Sequence, residues 1–263
     1  MTSRRTRHLP LLALALAIAI PGCRSAGDHR PPAQAPTAPP AVTAPATPTP
    51  AAPSAAEPLE IQWVRKSAEH EAIFLQTYAL ATRRVEQEAT SRARGAWAVV
   101  LDADETVISN LDYQAERARL RQKFDSGSWR AWTAKRAATP LPGAVAFLER
   151  VRGLGGRIAI VTNRAASECG DTEAVFKAHT IPYDVILCMP DKGPSDKNPR
   201  FDAVKNGTTP AGLPPLEILA FVGDNIRDFP GMSQAATQRG PEAFSEFGVR
   251  FFVLPNPMYG SWE

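Results

Sequence analysis

The chain has 263 residues, of which 44% are hydrophobic and 22% charged, the balance of a globular protein; its three cysteines are too few for a disulfide scaffold. The formal net charge of +3 traces to Arg4, Arg5 and Arg7, the only charged residues before Cys23. Without them 30 − 3 = 27 basic residues face 27 acidic ones. That zero balance removes the electrostatic case for a nucleic-acid polymer as partner.

Arg4, Arg5 and Arg7 are followed by Leu9 to Ile20, which is apolar apart from Pro10. A bilayer-spanning helix needs about 20 apolar residues, so this stretch has the length of a signal-peptide core instead. Residues 1–22 are therefore expected to be a signal peptide. The next residues, Ile20-Pro21-Gly22-Cys23, resemble a bacterial lipobox, in which the Cys is diacylated and becomes the mature N-terminus. The resemblance implies lipidation at Cys23 and membrane attachment through that anchor; the alternative is an ordinary cleaved signal with a chance Cys. Two or three acyl chains bury enough CH₂ groups for stable anchoring. Arg24 stands where lipoproteins retained at the inner membrane commonly carry Asp, which implies the outer membrane, facing periplasm or surface. Residues 23–58 hold ten of the 25 prolines, between Pro31 and Pro58, mixed with Ala and Thr. Such a composition cannot bury a core and favours extended polyproline-II geometry, so it reads as a spacer.

The globular domain is expected over 59–263. From Glu60 to about Arg94, Ile61, Val64, Ala68, Ala72, Leu75, Ala79 and Val85 recur at helical spacing without Gly or Pro, predicting one or two amphipathic helices. His70-Glu71 fails as a zinc-protease motif because Phe74 stands where the second His is needed. His70 is expected at the surface. Short apolar runs follow at Trp97–Leu101, Ile158–Val161, Val185–Leu187, Leu219–Val222 and Phe251–Leu254, each reading as a buried strand. Helical patterns lie between them, at Ala144–Leu154 and Thr172–His179. Buried strands alternating with helices predict an α/β fold, a Rossmann-like, doubly wound parallel sheet.

In such sheets ligands sit at the carboxyl ends of the strands. The chemically loaded residues stand there. Asp102-Ala103-Asp104-Glu105-Thr106 follows the first run, Thr162-Asn163-Arg164 the second, and Gly223-Asp224-Asn225-Ile226-Arg227-Asp228 the fourth. Lys197 lies in the polar loop after the third. Four carboxylates converging on one crevice would repel, and a divalent cation would resolve this; oxygen-only ligands select a hard one such as Mg²⁺. Thr162 and Lys197 supply a hydroxyl and an ammonium suited to phosphate oxygens. A carboxylate attacking phosphorus would form an aspartyl-phosphate. Each element alone is weak, since an isolated Asp-x-Asp or Gly-Asp-Asn is commonly a turn; their order and strand-end placement carry the signal.

Asp102-x-Asp104-Glu-Thr, Val161-Thr162-Asn163-Arg164, Lys197 and Gly223-Asp224-Asn225-x-x-Asp228-Phe229 resemble the four motifs of haloacid-dehalogenase (HAD) superfamily phosphatases. Gln62-Trp63, Trp129-x-x-Trp132 and Leu254-Pro255-Asn256-Pro257-Met258-Tyr259-Gly260-Ser261-Trp262-Glu263 narrow the resemblance to class C, the lipoprotein e-like acid phosphatases and 5′-nucleotidases. The resemblance implies a Mg²⁺-dependent phosphomonoesterase acting on nucleoside monophosphates and related small phosphomonoesters. It implies Asp102 as nucleophile and Asp104 as acid, then base. Metal would be held by Asp102, the Asp104 carbonyl, Asp224 and Asp228, and phosphate by Thr162, Asn163 and Lys197, with Lys192 the rival to Lys197. Trp129 and Tyr259 would stack the base. A small helical cap would be formed by about 59–94 and 110–139. Trp63, Trp97, Trp132 and Trp262 are expected as packing residues. Cys169 and Cys188, an even pair in an oxidising compartment once Cys23 is lipidated, are expected as a disulfide, the alternative being two buried thiols. Two other functions stay open from the residues: a surface-binding lipoprotein that keeps the fold with weak catalysis, and a phosphotransferase.

Overall fold

The computed structural model describes residues 56–263; the expected signal peptide, Cys23 and nearly all of the Pro-rich spacer lie outside the described residues. Two helices come first, α1 (Leu59–Lys66) and α2 (Ala68–Ala89). They are separate because Ser67 adopts an extended backbone and its side chain caps α2, accepting from the His70 N–H at 3.1 Å. The break resets the helical phase. Phe74, Tyr78, Ala81 and Val85 face the core, while Ala68, Ala72, Leu75 and Ala79 are exposed, so the apolar stripe read from sequence holds only at Ile61 and Val85. His70 also departs from its expected surface place. It is buried between Trp63 and Phe74, with ring centroids 5.4 and 4.5 Å away, and burial lowers its pKa.

The central sheet is built from β1 (Trp97–Leu101), β4 (Arg157–Ala165), β5 (Val185–Met189), β6 (Glu217–Gly223) and β7 (Phe251–Val253). All neighbours are parallel, in the order β5-β4-β1-β6-β7. Every residue of β1 is buried, which is why it reads as an unbroken apolar run rather than an alternating one. Trp97, Val99 and Leu101 face one core, shared with α2, α5 (Ala144–Leu154) and α6 (Cys169–Ala178). Ala98 and Val100 face the other, which holds Phe201 and Val204 of α7 (Asn198–Asn206) together with Phe221, Phe229 and Phe251. Helices thus cover both faces, as a doubly wound sheet requires. The strand between α5 and α6 runs nine residues, longer than its apolar core suggested, because Thr162, Asn163 and Arg164 continue it.

Between β1 and α5 the chain makes an excursion. β2 (Ile108–Ser109) and β3 (Thr139–Pro140) pair antiparallel, and α3 (Leu111–Arg119) and α4 (Ser126–Thr133) lie between them. This two-stranded stem bounds the helical insertion expected over 110–139. The earlier segment divides: α1 packs on α3, but α2 packs on α5 and β6 and belongs to the layer against the sheet. The expected cap over 59–94 is corrected accordingly, because the buried side chains of α2 are large enough to be core. Trp132 is buried and Trp97 is fully buried, while Trp262 is 57% exposed and does not pack as expected.

Cys169, opening α6, and Cys188, in β5, form a disulfide with Cα atoms 6.0 Å apart. It ties an edge strand to the helix beside it. With 19 residues of separation, loop-closure entropy predicts a contribution of about 3 kcal/mol. Replacing both cysteines by Ser is expected to lower the urea midpoint and to raise the slope, because the unfolded chain is then less compact; an unchanged midpoint would refute a stapling role.

Candidate active site

Leu101 of β1 lies level with Ile160 of β4 and Val222 of β6. The Asp102 N–H continues the ladder, donating to the Val222 carbonyl at 3.0 Å. The residues after these three central strands therefore emerge together at the carboxyl edge of the sheet. Asp102, Asp224 and Asp228 each place a carboxylate oxygen within 4.8 Å of the others. Lys197, at the start of α7, is 3% exposed and sits among them, with Nζ 2.7 Å from Asp102 Oδ1 and 2.6 Å from Asp228 Oδ1. Lys192, the rival on sequence, is exposed. Burial alone would lower the Lys197 pKa, but the two carboxylates overcome this and hold the ammonium charged.

One buried cation does not neutralise three carboxylates. Burial pushes Asp102 up in pKa, against the Lys197 charge, and burial together with the Asp228 and Asp102 charges pushes Asp224 well above its ordinary value. Lys197 pairs with one oxygen each of Asp102 and Asp228 and leaves Asp224 without a cation. Three carboxylates sharing a single ammonium, all with oxygen ligands, fit a hard divalent cation, which Asp102, Asp224 and Asp228 would hold. Thr106 Oγ1 and Asn256 Nδ2 orient Asp224, donating to it at 3.2 and 2.8 Å.

The Asp104 carboxylate does not join this group. Arg164 Nε and Nη2 grip it at 2.8–3.1 Å, and Asn110 Nδ2 donates to it at 2.8 Å. Arg164 is 2% exposed and Asn110 fully buried. The Asn110 carboxamide oxygen accepts from Trp132 Nε1 at 2.8 Å and from Arg164 Nη2 at 3.1 Å. Its backbone N–H donates to Glu105 at 2.6 Å. Glu105 is itself buried, and burial with the Asp104 charge pushes its pKa up to about 8. Its other carboxylate oxygen accepts from the Tyr259 hydroxyl.

Asp102, Asp104, Trp129, Asn163, Lys197, Asp224, Asp228 and Tyr259 line one cavity of about 1100 Å³. Thr162 is fully buried behind its wall: the hydroxyl accepts from the Arg164 N–H at 3.1 Å and donates to none of the described residues. Asn163 is exposed, and its side-chain oxygen accepts from Arg200 Nη2 at 2.6 Å. Trp129, in α4, packs edge-on against Tyr113 at 5.1 Å, and the Arg164 guanidinium lies 5.4 Å from its ring. Its position between these neighbours leaves it half-buried at the cavity wall.

A family model described as HAD superfamily, subfamily IIIB (acid phosphatase) matches residues 38–262. The chain belongs to this family. The solved structure of the class C acid phosphatase from Bacillus anthracis is similar, with a TM-score of 0.68 and 27% identity, covering 77% of this chain and 84% of that one. The tungstate-bound crystal structure of the class C acid phosphatase from Bacillus anthracis matches with a TM-score of 0.69 and 26% identity over the same shares. The stem 28 kDa glycoprotein of Glycine max is 26% identical over 170 residues, which is 61% of this chain and 58% of that protein. The acid phosphatase family and the shared fold indicate a phosphoric monoester hydrolase.

The sequence assigns no role to Arg164, Asn110, Glu105 or Arg200. Arg164 and Glu105 stand inside the motifs, so their position is legible there but their partners are not. Gly223 is a further site residue of this acid phosphatase. A Cβ on it would collide with the Asp228 side chain, whose carboxylate folds back to accept from the Asn225 N–H at 2.9 Å. Gly223→Ala is expected to displace Asp228 and weaken binding of a divalent cation at least about tenfold, the equivalent of roughly 1.4 kcal/mol. Titration calorimetry with Mg²⁺ checks this, and wild-type affinity in the variant would contradict it.

Proposed function

We propose that the protein is a Mg²⁺-dependent phosphatase of 5′-nucleotides that works through an aspartyl-phosphate on Asp102. The observation that carries the reading is the partly buried Asp102–Asp224–Asp228 cluster around the buried Lys197, opening into a cavity with Trp129 and Tyr259 on its wall. A divalent cation bound there would neutralise phosphoryl oxygens and let the dianion approach a carboxylate. The Asp104 backbone carbonyl would complete its protein ligands. Lys197, Asn163 and the Thr162 hydroxyl would hold the phosphate. Tungstate, the ligand of a similar structure, is a tetrahedral oxyanion of phosphate's shape, which supports an oxyanion site here.

In this reaction the Asp102 carboxylate attacks phosphorus and the ester oxygen leaves, taking its proton from Asp104. Asp104 then takes a proton from water, whose oxygen attacks phosphorus, and the Asp102–phosphorus bond breaks to release phosphate and regenerate the carboxylate. Arg164 and Asn110 orient the Asp104 carboxyl for both transfers. The remaining catalysis is positioning and charge neutralisation. The presence of Asp102, Asp104, Lys197, Asp224 and Asp228 together favours an active enzyme over a binding protein of the same fold. Transfer of the phosphoryl group to an alcohol instead of water uses the same intermediate.

Base-aromatic stacking contributes about 1–3 kcal/mol per base and tolerates any base, so Trp129 and Tyr259 would give broad nucleotide use. A panel of 5′-nucleotides and glycerol 2-phosphate, with Mg²⁺ and with EDTA, tests the reading. Phosphate release is expected to stop in EDTA and return with Mg²⁺. Asp102→Asn is expected to abolish turnover with the fold intact, and retained hydrolysis in that variant would overturn the assignment. Trp129→Ala is expected to hurt nucleotides about tenfold more than glycerol 2-phosphate, whose leaving group has no ring; equal losses would make this Trp structural.

The proposed setting is the bacterial envelope, with Cys23 lipidated, the spacer as tether and the domain at the outer membrane. Among the described residues no helix is long and apolar enough to cross a membrane. Cys23→Ser is expected to move the protein from the membrane fraction to the soluble fraction. Unchanged fractionation would remove the lipid anchor from this account.

A further inference from the structure

The stretch 254–263 follows the edge strand β7 yet supplies much of the cavity wall, including Met258, Tyr259 and Gly260. It contains no helix or strand, and beyond the Leu254 N–H, which donates to the Gly223 carbonyl at 2.9 Å, three of its side chains tie it to the domain. Asn256 donates to Asp224 at 2.8 Å, and Ser261 donates to Asn225 at 2.8 Å. Both contacts reach the loop after β6. The third is of a different kind, because the Tyr259 hydroxyl crosses to Glu105, in the loop after β1.

Glu105 is unusual on two further counts. It is 4% exposed, although carboxylates rarely bury without a partner. It also has a positive φ of 49°, a backbone conformation that costs a non-Gly residue energy and persists only where the surroundings enforce it. Both oxygens of its carboxyl group are engaged: one accepts from the N–H of Asn110, five residues along the chain, at 2.6 Å, and the other from Tyr259, 154 positions away. Asn110 in turn donates to Asp104 at 2.8 Å. Glu105 therefore stands between the aromatic ring on the cavity wall and the carboxyl that handles protons.

We propose that Glu105 is a positioning residue for substrate selection, a latch that fixes Tyr259 across the cavity by its hydroxyl. The proposal rests on the nucleotide reading above for its kinetic consequence, but not for its structural one. The phenol ring alone would stack a base; the hydroxyl sets where the ring stands. Holding a ring in place before binding spares the ordering cost that a loose segment would pay in the complex. The latch also gives the buried Glu105 carboxylate the donor that burial demands.

Tyr259→Phe removes the hydroxyl and keeps the ring, so it isolates the latch from the stacking surface. It is expected to raise KM for a nucleoside 5′-monophosphate about tenfold, the upper end for a hydrogen bond between neutral groups, with kcat changed less than about twofold. The loss in kcat/KM on glycerol 2-phosphate is expected to be at least about fivefold smaller, since that substrate does not reach the ring. Glu105→Gln, which offers one acceptor oxygen in place of two, is expected to shift the same KM. The double variant is expected to be no worse than the poorer single one, because both remove one interaction. Multiplying losses, or a Tyr259→Phe defect confined to kcat, would overturn the latch. Hydrogen exchange over 255–263 provides a readout apart from catalysis: amides there are expected to exchange faster in both variants than in the wild type. Unchanged exchange would refute the latch even if nucleotides are hydrolysed. Faster exchange in a protein that cleaves no nucleotide would keep the latch and reject the nucleotide reading.

Discussion

Three carboxylates forced together in a partly buried site govern the rest of this structure. Asp102, Asp224 and Asp228 come from the ends of two neighbouring strands and share one buried lysine. Mutual repulsion and lost hydration make such a cluster costly, and Lys197 offsets only part of it. The cost is tolerable because the strand ladders leave these side chains nowhere else to go. The sheet is rigid there: the Asp102 N–H is still tied to β6, and the Asp228 carboxylate folds back to cap its own loop. The residual negative charge suits the site to a divalent cation, and on the proposed function that cation would let an anionic phosphate approach a carboxylate.

Around this centre a second set of polar groups is almost perfectly satisfied. Arg164, Asn110, Asp104, Glu105, Trp132 and Tyr259 form one connected network at the base of the cap insertion. Buried networks of this kind are rigid when complete and costly when broken. Here the Arg164 fork together with Asn110 holds the Asp104 carboxylate apart from the Asp102–Asp224–Asp228 cluster. The two populations of carboxylate, one gathered and one held back, arise from a single Asp-x-Asp step because the intervening chain turns off the end of β1.

The cavity draws its walls from elements of different character. Its floor is strand ends, its roof includes Trp129 of α4, and one side is the irregular stretch after β7. The cap insertion leaves and rejoins the domain through the β2–β3 ribbon, so its helices can vary without disturbing the sheet. On the proposed function a division of labour would follow: chemistry at the sheet edge, recognition by side chains carried on the insertion and on the final stretch. The disulfide fastens β5 to α6, whose first turn follows directly on Glu168, another residue of the wall.

The sequence alone determined the strands, their parallel arrangement and the motif residues at their ends. Those properties are local, since a strand buried on both faces must be apolar throughout and a ligand site in such a sheet must follow the strands. The same locality made Asp102, Asp224, Asp228 and Lys197 readable as one site. What only the tertiary structure decided was pairing across distance. No spacing rule tells that Arg164 holds Asp104, that Tyr259 meets Glu105 across 154 positions, or that His70 slips under Trp63. The helical stripe of α2 failed for a related reason: a single capping serine shifted the phase, and the large aromatic side chains then chose the core face. Periodicity and motif order are properties of neighbouring residues. The partner of a buried polar group is set by how the whole chain closes upon itself.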